Sequence, residues 1–116
     1  IARSAEQYIV ARAAVDATGH DAVLVKCLLR RGLIEGRNGQ LPGEGPMDAP
    51  AGEQFVVDHV VEVHPGLWTT GMSVCASRGG PRMGPIFGGM LLSGANVAER
   101  IEQILMQAEN QRIAKE

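Results

Sequence analysis

The stretch from Gly79 to Gly94 combines a dense run of glycines with a single arginine, Arg82, and continues into a long apolar pattern. Glycine lets the backbone approach a ligand closely, and Pro85 suits the first position of a helix. Backbone amides at a helix N-terminus beside a fixed cation form a natural anion site, and a guanidinium can hold a carboxylate or phosphate through two parallel hydrogen bonds. The stretch predicts an anion site, although a glycine-rich turn with a solvated arginine explains the spacing equally well.

His20 is a second residue whose type could do chemistry, because it follows a glycine at a predicted strand-to-helix turn. A lone histidine is most often structural. His59 and His64 lack metal-ligand spacing, and we expect both at the surface or in loops. Cys27 and Cys75 are too few for a disulfide framework, and we expect both to pack. No Ser-His-Asp or Cys-His arrangement can be assigned, so the sequence predicts no catalytic residue.

The overall composition excludes some classes of partner. The 116 residues carry a net charge of −2, and aromatic residues make up only 3%. A nucleic-acid surface needs a basic stripe, and base stacking needs aromatic side chains, so we expect no nucleic-acid partner. No apolar run reaches roughly 18 residues, and residues 1–15 lack a signal-peptide core. We therefore expect no membrane partner, and the absence of a disulfide framework favours a reduced, cytoplasmic location.

The elements that must position these residues follow from the apolar pattern. Residues 8–15 predict a buried strand that ends at residues 16–19. A helix follows, which Asp21 is expected to cap and Gly32 to end. Residues 36–52, with their clustered glycines and prolines, predict a loop or a mobile lid.

Three more elements are expected in the second half of the chain. Residues 51–61 contain a β-branched run that favours a strand by propensity, and a helix is the alternative. Residues 66–71 predict a short strand that enters a glycine turn. Residues 85–107 carry an apolar stripe at helical spacing and predict a long terminal helix, while the polar tail from Asn110 is expected to fray.

Several blocks of the chain resemble, in the same order, the thiamine thiazole synthase family, and especially its archaeal-type and other prokaryotic members. The blocks are residues 15–21 (VDATGHD), 62–68 (EVHPGLW), 71–76 (GMSVCA) and 81–94 (PRMGPIFGGMLLSG). Together they cover most of residues 9–105. The resemblance favours the helix for residues 51–61.

The resemblance implies an α/β fold, the C-terminal part of a dinucleotide-binding, Rossmann-like domain of flavoprotein type with a long C-terminal helix. Residues 1–116 would then be the C-terminal part of a single domain, because family members are more than twice as long and no Gly-x-Gly-x-x-Gly half precedes residue 32. The implied assembly is a homo-octamer.

The resemblance also implies an activity. The family forms an adenylated thiazole carboxylate from NAD, glycine and a sulfur source, which for this type is sulfide, with the help of ferrous iron, Fe(2+). The expected partners are therefore small molecules, and NAD is a substrate. The 116-residue piece alone is expected to be inactive.

Site residues carry over from the family position by position. His20 matches the histidine that binds ferrous iron, and Arg82 matches the arginine that holds the carboxylate of glycine or of the glycine-derived intermediate. Met72, Met83 and Gly84 match contacts to the NAD-derived dinucleotide.

The chain departs from the family pattern at one position, and two alternatives stay open. The family's second iron ligand is an aspartate fifteen residues before the histidine, where this chain has Ala5 beside Glu6. Cys75 does not match the cysteine that fungal and plant members sacrifice as a sulfur donor. The alternatives are the C-terminal part of an FAD-dependent oxidoreductase, which usually has an aspartate where this chain has Met72, and an inactive fragment that serves only in assembly.

Overall fold

The computed structural model describes residues 9–84 and 87–115. Strands and helices alternate along the described part in a mixed α/β order. The strands are β1 (Ala14–Asp16), β2 (Gly45–Met47), β3 (Val61–His64), β4 (Leu67–Thr69) and β5 (Pro81–Arg82). The helices are α1 (Val23–Arg30), α2 (Ala49–Asp58), α3 (Met72–Arg78) and α4 (Phe87–Ala114), and a 3₁₀ turn spans Gly19–Asp21.

Two small sheets organise the described residues. The larger has the strand order β1-β4-β3, in which β1 runs parallel to β4 and β3 runs antiparallel to it. Val15 lies opposite Trp68 in the parallel pair. Parallel strands need a long crossover, and here the chain from α1 to β3 makes it. β2 and β5 form a second, separate parallel pair. The expected α/β class is confirmed.

The first predicted strand is shorter than expected. Only residues 14–16 of its described part pair with a neighbouring strand, and Tyr8 lies outside the described residues. Ile9 and Val10 are almost fully exposed. The helix that follows ends as expected, because Gly32 adopts a φ of +71° and its N–H donates to the Leu29 carbonyl at 3.0 Å.

Asp16, at the end of β1, caps α1. Its side chain is fully buried, and its carboxylate accepts hydrogen bonds from the backbone N–H groups of Leu24 and Val25, each at 3.0 Å. Its negative charge also complements the positive end of the helix dipole. The prediction that Asp21 caps this helix is wrong. The 3₁₀ turn holds Asp21 ahead of the helix, with its side chain exposed.

Residues 36–52 are not one continuous loop, because β2 lies within them and α2 begins at Ala49. Asp48 caps α2 by accepting a hydrogen bond from the Ala51 N–H at 3.2 Å, and Pro50 occupies its first turn. The helix expected for residues 51–61 is confirmed, but it ends at Asp58. The last of those residues, Val61, begins β3 instead.

β4 confirms the short strand expected within residues 66–71. Gly71, with a φ of +63°, then turns the chain into α3, a helix that the sequence pattern did not indicate. The core of the described residues forms three clusters. They are centred on Ala22, Val25, Leu67 and Ala76; on Val56, Val74, Cys75 and Met83; and on Val60, Trp68 and Val97.

The long terminal helix is confirmed from Phe87 onward, while Pro85 lies outside the described residues. α4 continues to Ala114, so the expected fraying from Asn110 is wrong. An ion pair between Glu109 and Arg112, one turn apart, stabilises this end of the helix.

The apolar stripe of α4 is only partly buried in the described residues. Val97 is 4% exposed, whereas Phe87 is 73% and Leu91 is 74% exposed. Ser93 anchors the buried side, because its Oγ accepts hydrogen bonds from the Thr70 hydroxyl and the Gly71 N–H, each at 3.1 Å. Among the described residues, no helix combines the length and the apolar character that a membrane span needs.

Gly52 lies where α2 meets the segment that carries Arg82. A Cβ added to Gly52 would lie 2.8 Å from the Cα of Met83 and from the carbonyl oxygen of Pro81, and backbone atoms cannot move aside cheaply. We predict that Gly52→Ala lowers the free energy of unfolding by about 1–3 kcal/mol, the usual cost of overpacking. Thermal unfolding followed by circular dichroism measures this change.

Gly94→Ala is the matched control for Gly52→Ala. Gly94 also lies within a helix, but a Cβ there meets nothing within 4 Å. Alanine at this position should raise the free energy of unfolding by roughly 0.5–1 kcal/mol, because glycine is the poorer helix former. Equal stabilities for the two variants would contradict the close contact at Gly52.

Candidate functional site

Glu44 joins the two residues that the sequence singles out most strongly. Nδ1 of His20 donates a hydrogen bond to Oε1 of Glu44, and Oε2 of Glu44 lies 3.5 Å from Nε of Arg82. Nη2 of Arg82 in turn lies 3.5 Å from Nε2 of His20. The structure therefore brings His20 and Arg82 together, with a carboxylate that the sequence did not predict between them.

Three separate segments position these side chains. His20 lies in the 3₁₀ turn that follows β1, Arg82 lies in β5, and Glu44 directly precedes β2. Because β2 and β5 pair in parallel, the sheet fixes the place of Glu44 relative to Arg82. The β2–β5 pair is thus the part of the fold that joins the two ends of the site.

The backbone on both sides of Glu44 is also anchored. The N–H of Gly43 donates to the carbonyl of Ala76 at 3.0 Å, and the N–H of Gly45 donates to the carbonyl of Gly80 at 2.8 Å. Gly43 has a φ of +75°, a conformation that favours glycine. These bonds tie Glu44 to the end of α3 and to the turn after it.

Burial differs among the three side chains. The side chain of Glu44 is 12% exposed, that of His20 is 37% exposed and that of Arg82 is 51% exposed. A carboxylate with so little access to water needs partners for its charge, and His20 and Arg82 supply them. The exposed edges of His20 and Arg82 are then the parts that can meet a ligand.

A cavity of about 450 Å³ opens beside His20 and Glu44, and Lys26 and Arg30 of α1 also line it. Clefts of about 710 and 650 Å³ lie elsewhere on the described part, and His20, Glu44 and Arg82 line neither of them. We assign the candidate site to this 450 Å³ cavity because His20 and Glu44 line it together with Lys26 and Arg30, while Arg82 lies outside its lining.

The residues expected to contact a dinucleotide lie in different environments. Met72, the first residue of α3, packs against the turn that carries His20, since its Cε lies 3.8 Å from the place of a Cβ on Gly19. Met83 is 1% exposed, and its side chain packs in the core. Gly84 is also buried, with a φ of +71°. The side chain of Met83 is therefore part of the core, whereas Met72 keeps a partly exposed position beside the turn that carries His20.

The other histidines have structural surroundings. His59, half-buried at the end of α2, stacks on Phe55 with ring centroids 3.9 Å apart, and its Nδ1 bonds the Phe55 carbonyl at 3.0 Å. His64 lies half-buried in β3. His64 therefore lies in a strand and not in a loop, because β3 pairs with β4 at that residue, and it stays partly exposed beside two clefts.

The described residues contain no group of three or more His, Cys, Asp and Glu side chains that could hold a metal ion. His20 nonetheless fits one position in a metal site. With its Nδ1 bonded to a carboxylate, its Nε2 carries the lone pair that a metal needs, which is the usual arrangement of metal-bound histidines, but Nη2 of Arg82 lies 3.5 Å from that nitrogen and would have to move away for a metal to bind. Ala5 and Glu6 lie outside the described residues. Further ligands would have to come from a substrate or from other residues.

Sequence reasoning did not single out Glu44, although a signal was present. Residues 42–46 read PGEGP, so glycine and proline surround a single ionisable residue on both sides. Proline restricts the backbone and glycine permits a positive φ, so such a segment indicates a turn that carries one ionisable side chain. What the pattern could not supply is the pairing of β2 with β5, which brings Glu44 to Arg82.

The comparison with known families identifies the chain. The model of the Thi4 family matches residues 5–87, which include His20, Glu44, Met72 and Arg82. The chain belongs to the Thi4 family. The resemblance described from the sequence blocks is therefore confirmed.

Two curated relatives of this family are named thiamine thiazole synthase. The protein from Thermotoga maritima is 54% identical over 91 residues, covering 78% of this chain and 34% of the relative. That from Thermococcus kodakarensis is 54% identical over 97 residues, covering 84% and 37%. The crystal structure of Thermovibrio ammonificans THI4 matches with a TM-score of 0.76 and 46% identity, covering 84% of this chain and 36% of that one. The chain thus spans about a third of the length of these relatives.

Cys75 is fully buried in α3, as its expected packing role requires. Burial, and to a lesser extent the negative charge of Glu44, raises the pKa of the Cys75 thiol to about 11. The residue is therefore a neutral thiol at physiological pH. Since the thiolate is the nucleophilic form, Cys75 is a poor sulfur donor or nucleophile.

We predict that iodoacetamide at about pH 7.5 leaves Cys75 unmodified in the folded protein, because the thiol is both buried and protonated. The partly exposed Cys27 is the internal control and should be alkylated first. Peptide mapping by mass spectrometry distinguishes the two sites. Equal labelling rates before unfolding would contradict the assignment.

The same thiol makes stability depend on pH in the alkaline range. The folded protein holds the Cys75 proton more tightly than the unfolded chain, in which a thiol has a pKa of about 8.5. This contribution is complete below about pH 8.5 and is lost as the pH rises toward 11.

Proposed function

We propose that this protein acts in thiamine biosynthesis as a thiamine thiazole synthase. Its relatives carry that name, and the observation that supports the activity most directly is the joining of His20 and Arg82 by Glu44. Because the chain spans about a third of the length of those relatives, the proposal concerns the activity of a full-length protein. The reaction is the formation of an adenylated thiazole carboxylate from NAD, glycine and sulfide.

Arg82 would hold the carboxylate of glycine or of the glycine-derived intermediate. Its Nε faces Glu44, so its terminal Nη groups are the ones that can reach a ligand. A planar guanidinium binds a carboxylate through two parallel, charge-assisted hydrogen bonds. Half of the Arg82 side chain is exposed, which leaves room for such a partner.

His20 would hold ferrous iron through Nε2, while Glu44 bonds the opposite nitrogen. A bound iron would supply a Lewis acid that accepts sulfide and an amino-acid chelate beside Arg82. The part of the chain described here offers a single imidazole nitrogen. The proposal therefore needs further ligands from the substrate, from residues 1–8 or from another subunit.

The fold of the full-length protein is proposed to be Rossmann-like, of the flavoprotein type, with NAD lying near Met72 and the backbone of Met83 and Gly84. Gly84 supports this placement, because its φ of +71° favours glycine, and a glycine two residues after β5 lets a ligand approach the backbone closely. We place the enzyme in the cytoplasm as a homo-octamer, by analogy with the family.

Replacing Arg82 by Ala tests the carboxylate site. Loss of a bidentate charge-assisted contact costs roughly 1.5–3 kcal/mol, so the KM for glycine in the full-length enzyme should rise by roughly 10- to 150-fold. Arg78→Ala is the matched control, because Arg78 is an exposed arginine at the end of α3 and lies outside the cluster. Unchanged glycine dependence in Arg82→Ala would refute the role of Arg82.

Replacing His20 by Ala tests the metal site. After anaerobic loading with ferrous iron, His20→Ala should retain far less iron per subunit than the parent protein, measured by elemental analysis. The fold should survive, since His20 lies in a partly exposed turn. His64→Ala, which alters a histidine in β3, should keep its iron. Full iron content in His20→Ala would show that His20 is not an iron ligand.

A further inference from the structure

Glu44 has the geometry of a positioning residue for both functional side chains. We propose that Oε1 of Glu44 fixes the Nδ1–H tautomer of His20 while its Oε2 fixes the orientation of Arg82. This places His20 Nε2 and Arg82 Nη2 3.5 Å apart, so that one ligand can reach both. The benefit to catalysis rests on the function proposed above, whereas the tautomer and the arginine orientation are properties of this chain alone.

The argument for His20 follows from what a carboxylate can do. An ionised carboxylate only accepts hydrogen bonds, so Nδ1 must carry the proton that it shares with Oε1. A neutral imidazole has one N–H, and Nε2 is therefore left with its lone pair. Nη2 of Arg82, which can only donate, lies 3.5 Å from that nitrogen. Both contacts are satisfied by the same tautomer.

The argument for Arg82 follows from the planarity of its guanidinium. Nε of Arg82 forms an ion pair with Oε2 of Glu44 at 3.5 Å, and because the guanidinium is planar this ion pair restricts the directions of both Nη groups. Among the described residues, Glu44 forms the one ion pair with Arg82. Without Glu44, this half-exposed side chain would be free to sample many rotamers.

Glu44 itself is held firmly enough to act in this way. Hydrogen bonds anchor the backbone of both neighbouring glycines, and the carboxylate is largely buried. Groups that orient a ligating histidine typically contribute 10- to 100-fold to metal affinity or activity. We expect an effect of that size on removal of the carboxylate.

The test is the tautomer of His20, read by long-range ¹H–¹⁵N NMR on the full-length protein without metal or substrate, at about pH 8 where an imidazole is neutral. The parent protein should show a protonated Nδ1 and a bare Nε2. Glu44→Ala should shift His20 toward the Nε2–H tautomer. The His59 signal, held by the Phe55 carbonyl, reports on the integrity of the fold. The Nδ1–H tautomer persisting in folded Glu44→Ala would overturn the proposal.

Glu44→Gln covers the case in which the alanine variant does not fold. An amide of the same shape presents one acceptor and one donor group, so it can satisfy both His20 and Arg82 only if His20 changes to the Nε2–H tautomer. We expect kcat/KM for thiazole formation to fall 10- to 100-fold at an unchanged melting temperature. Glu35→Gln, which changes an exposed glutamate, should keep the parent value. A parental kcat/KM in Glu44→Gln would also overturn the proposal.

The two proposals fail in different ways. If the full-length protein forms no thiazole but the tautomer responds to Glu44→Ala, the proposed function fails and the positioning role stands. If thiazole forms and the tautomer is indifferent to Glu44, the positioning role fails and the function stands.

Discussion

The buried carboxylate of Asp16 is the interaction on which the rest of this structure depends. It accepts hydrogen bonds from the N–H and hydroxyl of Thr18, at 3.0 and 2.6 Å, and from the first turn of α1. Its backbone carbonyl accepts the Ser73 hydroxyl at 2.6 Å and the Thr70 N–H at 3.1 Å. One residue thus joins β1, α1, the end of β4 and the start of α3.

The geometry of the candidate site depends on these contacts of Asp16. The turn that carries His20 begins directly after Thr18, and the far end of α3 holds the backbone on one side of Glu44 through Ala76. A shift of α3 relative to β1 would therefore change the distance between His20 and its carboxylate partner. Such dependence is expected of functional groups that sit in turns, because the scaffold, not the turn, supplies their rigidity.

Much of the architecture could be predicted from local sequence signals. Apolar spacing indicated α4, turn glycines indicated the ends of α1 and β4, and the resemblance settled α2 against its β-branched propensity. The prediction of Asp21 as a cap went wrong because Asp16, eight residues before Leu24, reaches the helix across a 3₁₀ turn. α3 was missed because it is short and mostly buried, so no polar face marks its period.

In the candidate site, too, some residues could be predicted from local sequence signals and others could not. His20 and Arg82 stood in recognisable blocks, whereas Glu44 became visible only through the pairing of β2 with β5. Strand pairing between distant segments leaves no mark on a single sequence when the strands are two or three residues long. The prediction that Cys75 packs was secure, because it needed only the apolar character of its neighbourhood.

The candidate site forms through contacts between residues that are far apart in the sequence, so it assembles late in folding. His20 is 24 residues from Glu44 and 62 from Arg82, and Asp16 is 57 from Ser73. Closing loops of this length costs entropy before any contact compensates for it, so parallel pairings of this kind form slowly. The 28-residue helix α4 can form early, but the imidazole and the guanidinium meet only when the segments that carry them have been joined through the two sheets. A nascent or partly unfolded chain therefore presents these polar side chains apart from one another, without the cluster of His20, Glu44 and Arg82.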